Sequence, residues 1–498
     1  MKNYLHLLLP FLLLVFFGCK EKPTVQRTPE NKATKKVKPS LIMSNINKNF
    51  VVQGSYINTF FAIPNPNRDK ITFQKTVFPK DAEAFLQQKG ISNIIIHPTQ
   101  VTDNPIVTKI FAESEWGMDS ISFTTKVTQP VGSIFYAAPK NSKQIGQKID
   151  TYSIQSLEKV LKRIAKENIR PATIFLMSGH YPTLHLDNFQ DLTIIPKIEE
   201  SPVFPSIQIT HSEKCTLQAL TIASENPKGK NSYYVKIDST SSRITIRNCL
   251  IQAADKTEQW EAQDWKTKAS NGIYSEGKAC IFQHNLIRNI HHGIETKGNN
   301  NLVTNNIIIR FAGDAIRNTG DSNFFLENYL ADALVDDYYD KDGNHDDLFQ
   351  SWTFDRPIKN IFISDNIAIN CTDTSIHLQS KNVQGIACFD GFEENWKIQN
   401  NLVIVEHPHG IALFGAQNCQ IQNNKIIPNP FNKYDFESAP WIMIHDHKDG
   451  RKSHNNQIIN NLVSVLKIDD STAVIKDNTI IDSIPDKTFP NYTHWIFQ

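Results

Sequence analysis

The stretch 291–330, HHGIETKGNNNLVTNNIIIRFAGDAIRNTGDSNFFLENYL, contains its own pattern twice. HGIETKG (292–298) returns as DAIRNTG (314–320), and TNNIIIR (304–310) returns as LENYLAD (326–332). Both series continue outward. The first reads RNCLIQ (247–252), QHNLIRN (283–289), SDNIAIN (364–370), QNNLVIV (399–405), QNNKIIP (422–428) and INNLVSV (459–465), each an Asn ahead of a short apolar run. The second reads NGIYSEG (271–277), DDLFQSW (346–352), QGIACFD (384–390), HGIALFG (409–415) and PWIMIHD (440–446). Copies recur about every 20–25 residues, with longer gaps at inserted loops, which is the period of a solenoid. A single such coil cannot bury its apolar face, whereas stacked coils bury a continuous core and rise by about 4.8 Å each. Asn suits the turn before each strand, and stacked Asn can form hydrogen-bonded ladders. A propeller would need four antiparallel strands per blade with strong turn signals, and the sequence lacks them.

Side chains alternate along a strand, so the second series can be sorted by face. Ile273, Ile294, Ile316, Leu348, Ile386, Ile411 and Ile442 form the inward column, with Ser275, Thr296, Asn318 and Gln350 inward two places later. Gly272, Gly293, Ala315, Asp347, Gly385 and Gly410 then point outward as a shallow floor. Beside it lie Tyr274, Glu295, Arg317, Phe349 and Ala387, then Glu276, Lys297, Thr319, Ser351 and Phe389. A small-residue floor lined by carboxylates, cations and aromatic faces suits an acidic carbohydrate chain. The same charges also read as a solvated, salt-bridged face.

The whole chain bounds these readings. It has 498 residues, 40% hydrophobic, with 52 Lys+Arg against 51 Asp+Glu. A net charge of +1 gives no basic face for nucleic acid. Seven cysteines without a CxxC pair make neither a disulfide framework nor a zinc ribbon. Residues 1–18 form a short leader, with Lys2 before the apolar run Leu7–Phe17. The leader's end, Phe-Phe-Gly-Cys, resembles a bacterial lipoprotein signal, which implies lipidation of Cys19 and attachment to the cell envelope on the periplasmic or outer-surface side. Residues 19–38 are a Lys/Glu/Thr/Pro-rich tether. Residues 39–130 are expected to form a small β-rich accessory domain, with one helical stretch at Asp81–Lys89. In 131–498, Ile134–Ala137 reads as a strand, Ser153–Ala165 as an amphipathic helix capped by Ser153, and Thr173–Met177 as a second strand.

This strand–helix–strand opening resembles the entry to secreted right-handed parallel β-helix proteins, where the helix covers the open first coil. The resemblance implies an all-β, right-handed parallel β-helix with an N-terminal capping helix. The run Gly343-Asn-His-Asp-Asp-Leu-Phe-Gln350 resembles a His-x-Asp-x-x-Gln signature of bacterial β-helix proteins related to polysaccharide lyases and epimerases, matched here by His345, Asp347 and Gln350. GIACFDG (385–391) and HGIALFGAQNCQIQNN (409–424) are similar to the same group. Within it, the alginate lyase and chondroitinase B family uses a lysine base and an arginine about one coil apart, with calcium bridging the substrate carboxylate. Lys297 and Arg317 are the matching pair.

The implied function is β-elimination on a uronate-containing polysaccharide. Lys297, Arg317, His345 and Asp347 are the catalytic candidates, and Glu295, Phe349, Gln350 and Phe389 the substrate-binding ones. His345, oriented by Asp347, is the alternative base. Asp340, Asp342 and Asn344 space oxygen ligands as a calcium loop does, an exposed acidic turn being the other reading. No organic cofactor is implied, and a monomer is expected. A hydrolase using Glu295 and Asp347, a C5-epimerase on the same groove, and a non-catalytic glycan-binding lipoprotein are the rival functions.

Overall fold

The computed structural model describes residues 49–61, 72–77, 82–89, 91–98, 105–114, 117–224, 229–254, 256–335, 346–353, 356–372, 376–380, 382–429 and 439–481. Cys19 with its leader and tether, and the acidic loop carrying Asp340, Asp342, Asn344 and His345, lie outside these residues. No described helix is long and apolar enough to cross a membrane.

From Ser133 onward the chain winds through three long parallel sheets of 14, 12 and 11 strands. In the regular coils each turn adds one strand to each sheet. One coil runs Ile281–Gln283, Leu286–Ile290 and Ile294–Thr296; the next runs Leu302–Thr304, Ile307–Phe311 and Ile316–Asn318. The two repeating series are the strands of the second and third sheets. From Thr216 onward the first sheet's strands are three residues long, with one central core side chain on successive coils (Phe282, Val303, Phe325, Ile363, Ile398), too short for periodicity to reveal.

Between the first and second sheets the chain turns on a single left-handed residue: His284 (φ 55°), Asn305 (58°), Glu327 (55°), Asp365 (59°), Asn400 (56°), Asn423 (56°). Asn and Asp tolerate this conformation better than most residues. The next residue points inward and builds the ladder. Asn306, Asn328, Asn366, Asn401, Asn424 and Asn461 each accept the backbone N–H of the preceding coil's ladder Asn at 2.9–3.1 Å. The carboxamides also bond one another from Asn285 to Asn478.

The first helix, α1 (Leu157–Glu167), starts later than expected. Its cap is Ser156, whose Oγ accepts the Lys159 N–H, rather than Ser153. Leu157, Val160 and Ile164 are buried, while Leu161 is only half-buried, and the buried face closes the core beside Phe135, Ala172 and Ile174. The described residues between 49 and 128 form seven strands. Asn49–Val52, Gly117–Thr128, Ile106–Ser114 and Thr72–Val77 form one sheet; Ile57–Phe61, Ile91–Pro98 and Ala82–Lys89 form another. The stretch read as helical is therefore a strand. Ala82–Lys89 pairs along its whole length with the apolar Ile91–Pro98, and that pairing overrides a helix-tolerant composition. Val52 packs on Phe175 and Ile195, the Gly54 carbonyl accepts the Ile198 N–H, and Ser55 Oγ donates to the Pro196 carbonyl at 2.6 Å.

Register in the third sheet corrects two of the columns. Ile316 pairs with Phe349 and Phe349 with Ile386, so Phe349 occupies the inward column in place of Leu348. Phe349 is 2% exposed and lies in the core, which removes it from the substrate-binding set. Gln350 becomes outward and Ser351 inward. The glycine column is not an outward floor either. A methyl on Gly272, Gly293 or Gly385 would meet the interior side chains of Ile287, Ile308 or Val403 at 3.0, 2.8 and 2.7 Å. The strand enters the sheet at a corner, where these Cα atoms face the core and pass within 2.0–2.3 Å, methyl to oxygen, of the next coil's carbonyl. Leu348 fills this corner position on its own coil, opposite the small Ala315.

Candidate functional site

Because the glycine column turns inward, the residue before it lies at the outer edge of the wall. Asn271, His292, Asp314 and Asp347 succeed one another there on four consecutive coils, and each caps the next. Asn271 Oδ1 accepts the His292 N–H (3.1 Å), His292 Nδ1 accepts the Asp314 N–H (2.8 Å), and Asp314 Oδ1 accepts the Asp347 N–H (2.8 Å). All four are nearly inaccessible, Asp314 and Asp347 wholly so. A ring nitrogen that accepts carries no proton, so His292 is neutral, in line with the burial that holds it well below the ordinary histidine range.

Three residues after these caps stands the outward column Tyr274, Glu295, Arg317 and Gln350, paired coil to coil. Arg317 is its centre. Its Nε donates to Asp314 Oδ2 at 2.6 Å and its Nη2 to Gln350 Oε1 at 3.3 Å. Gln350 Nε2 in turn donates to Asp347 Oδ2 at 2.8 Å. The guanidinium lies 4.9 Å from the centre of the Trp352 ring and 4.0 Å from Glu295. Glu295 Oε1 stands 3.5 Å from Lys297 Nζ, and that ammonium sits 4.9 Å above the Tyr274 ring. Tyr274 donates its hydroxyl to Glu276 at 2.7 Å; burial first, then this bond to a carboxylate, raise its pKa above the usual phenol value. The cluster holds more carboxylates than cations, yet the side-chain exposures are 41% for Lys297 and 20% for Arg317 against 6% for Glu295 and 0% for Asp314. Of these four charged groups the two cations are the more open to solvent.

Of the residues singled out in the sequence, Lys297, Glu295, Arg317, Gln350 and Asp347 thus form one connected network. Asp347 does not line the open face as expected. It lies behind Gln350 in the capping column of Asn271, His292 and Asp314, because the strand holding it is shifted by one place from the sequence alignment. Phe389 is outward and half-buried two coils beyond Arg317, against His409 and Phe414. Sequence reasoning missed Asp314 and His292. The signal was the polar first residue of each HGI- or DAI-type segment, three places before the outward column. Among the described residues no group of three or more His, Cys, Asp or Glu converges to hold a metal ion. The described cysteines are all buried, as expected of small core side chains.

The sequence model of one family, described as a right-handed β-helix region, matches residues 206–426. No curated protein matches the chain in sequence. Among solved structures, pectate lyase Pel9A is similar, with 14% identity, 70% of this chain and 79% of that chain covered, and a TM-score of 0.38. A pectin methylesterase in complex with a hexasaccharide is similar at 12% identity, covering 58% and 79%, with a TM-score of 0.29. With its coils stacked through three parallel sheets and the family match lying within them, this chain folds as a right-handed parallel β-helix.

Proposed function

We propose that the protein is a carbohydrate-active enzyme that cleaves a uronate-containing polysaccharide by β-elimination on the outer wall of the third sheet. The observation that carries this reading is the pair Lys297 and Arg317, solvent-facing on adjacent coils and joined through Glu295. Elimination needs a base for the C5 proton and positive charge for the carboxylate next to it. In the proposed step the Lys297 ammonium first gives a proton to solvent, and the resulting amine takes the C5 proton. The C–H electron pair becomes the C4=C5 double bond, the C4–O glycosidic bond breaks, and the leaving oxygen takes its proton from the Lys297 ammonium just formed. Arg317 pairs with the substrate carboxylate, where negative charge grows in the transition state. Asp314 and Gln350 hold its fork in place. Hydrolysis is less well supported, since of its two carboxylates Asp347 is wholly buried. Every step uses the chain's own groups; calcium enters as a variable of the test, because Asp340, Asp342 and Asn344 lie outside the described residues. Lipidation of Cys19 would hold the enzyme at the cell envelope, and Cys19→Ala would release it from the membrane fraction.

The test is a screen of alginate, polygalacturonate and a glycosaminoglycan, following the ultraviolet absorbance of unsaturated products with and without chelator. Lys297→Ala is expected to lower kcat by about 10²–10⁴-fold, and Arg317→Ala to lower kcat/KM. If His345→Ala abolishes the reaction while Lys297→Ala leaves it intact, the base is misassigned. New reducing ends without unsaturation would make the enzyme a hydrolase, a changed uronate ratio without cleavage an epimerase, and binding without turnover a glycan-binding protein.

A further inference from the structure

Beyond Gln350 the outward column changes character. Its next members are Ala387 and Ala412, in register with Gln350. Outward alanines on a solenoid wall should meet water, yet these are 1% and 0% exposed. The same coils carry a chain of rings. Phe389 lies 4.8 Å from His409 and 5.0 Å from Phe414, His409 lies 5.3 Å from Trp441, and Phe414 lies 5.3 Å from His445. Phe414 follows His409 by five residues along its strand and its ring meets that of Phe389. For the Phe389 and His409 rings to touch, they must lean toward each other across the alanine column. The small residues make room for the rings, and the rings keep water from the alanines. His409 is held in addition by Gln384 Oε1, 3.0 Å from its Nδ1.

The result is an aromatic strip spanning three consecutive coils, about 10 Å along the solenoid axis at ~4.8 Å per coil. Phe389, His409, Phe414 and Trp441 are half-buried and His445 is exposed, so the strip still meets solvent. Its long direction is that of the Lys297–Arg317–Gln350 cluster, and it begins on the coil after Gln350. The far end carries a cation, Lys467, whose ammonium lies 3.3 Å from the centre of the Trp441 ring.

We propose that this strip is a second part of the substrate groove and binds the sugar units that flank the one being cleaved, through the C–H faces of their rings. The occupant follows from continuity and chemistry. A linear polymer laid along the axis over Lys297 and Arg317 runs directly onto the rings. Pyranose rings present apolar C–H faces that rest on aromatic side chains, while their hydroxyls and carboxylates reach the polar rim. This assignment rests on the reading of the charged cluster as a carbohydrate site and adds where the rest of the polymer lies.

The test compares the full chain with Phe414→Ala and Trp441→Ala on short and long oligomers of alginate and polygalacturonate. For long oligomers KM should rise about tenfold with kcat unchanged, while the shortest cleavable oligomer keeps its KM. Phe414→Tyr and Trp441→Phe should restore the long-oligomer KM, which a general folding defect would not allow. Equal losses on short and long oligomers, or no loss on either, would overturn the assignment. Should neither uronate polymer be cleaved, the elimination reading falls and the strip is judged by affinity electrophoresis in alginate, polygalacturonate, xylan and a β-glucan. Retardation that both alanine variants abolish and that Phe414→Tyr and Trp441→Phe keep sustains the strip. No retardation of the wild type in any of the four gels overturns it as well.

Discussion

His284 illustrates what one side chain does in this architecture. It occupies a left-handed corner position whose counterparts on the neighbouring coils are Asn248 and Asn305. Its ring is buried and neither nitrogen has a hydrogen-bond partner. Burial, with the charge of Arg247 acting in the same direction, pushes its pKa down to about 3. His291 is pushed down to about 3 as well, again chiefly by burial. The folded protein therefore refuses protons that the unfolded chain accepts from about pH 6.5 downward. Each such histidine stabilises the fold fully above that pH and withdraws about 1.4 kcal/mol per pH unit as pH falls toward 3. The buried Glu393, held well above the usual carboxylate range by burial, works the other way as pH rises past its unfolded value. His284→Asn keeps a residue at ease in the left-handed conformation and removes one titration. Urea unfolding between pH 6.5 and about 4 should show a slope shallower by one proton; an unchanged slope would mean that His284 takes up its proton without unfolding. Legibility at this scale was uneven. Glu295, Lys297 and Arg317 were outward as parity predicts. Phe349 and Gln350 were assigned to the wrong faces, because an inserted loop left the count without an anchor and a one-residue slip exchanges faces.

The Asn ladder is the element that makes the coils one body. Asn366 accepts the Asn328 backbone N–H (2.9 Å) and carboxamide (3.0 Å), and donates to the Phe325 carbonyl and to Asn401, both at 2.9 Å. Alanine there would strand the two Asn328 donors and the Phe325 carbonyl away from water, while Asn401 Oδ1 keeps the backbone N–H of residue 366, at a cost on the order of 3 kcal/mol. Asp would keep the acceptors but set a buried carboxylate against the Phe325 carbonyl and Asn401 Oδ1, and should lose at least as much. Chemical denaturation of the two variants measures this, and a loss well below 1 kcal/mol for Asn366→Ala would mean that water replaces the side chain. The ladder was readable in outline, since Asn recurs before each apolar strand. Its geometry divides between two adjacent residues, one turning the chain and the next bonding the coils, and a run such as Asn305-Asn306 or Asn400-Asn401 does not announce that division.

At the scale of the molecule, the N-terminal strands bear on the early coils, and Phe60 joins the apolar cluster that includes Leu286 and Ile307. Val52, Gly54 and Ser55 contact the strands at 172–176 and 192–196, and the Phe50 carbonyl accepts from Gln218 Nε2 at 3.0 Å. Solenoid stability is local to neighbouring repeats. Deleting residues 39–130 should therefore raise amide hydrogen exchange across 172–218 and leave the coils from 384 onward protected. Uniform loss of protection along the chain would instead show that the N-terminal segment stabilises the β-helix as a single cooperative unit.

Some features of this protein are properties of short windows. The alternation of apolar and polar residues, the Asn at each corner, and the outward cations of HGIETKG and DAIRNTG can each be read within a few residues, because the period of a strand is local. The union of those residues is not local. Ladder neighbours are 22 residues apart between Asn306 and Asn328 and 38 apart between Asn328 and Asn366. No sequence interval says which side chains share a level. Only when backbone hydrogen bonds lock one coil onto the next do Gln350 and Arg317 meet, does Phe349 enter the core, and do the corner glycines turn away from solvent.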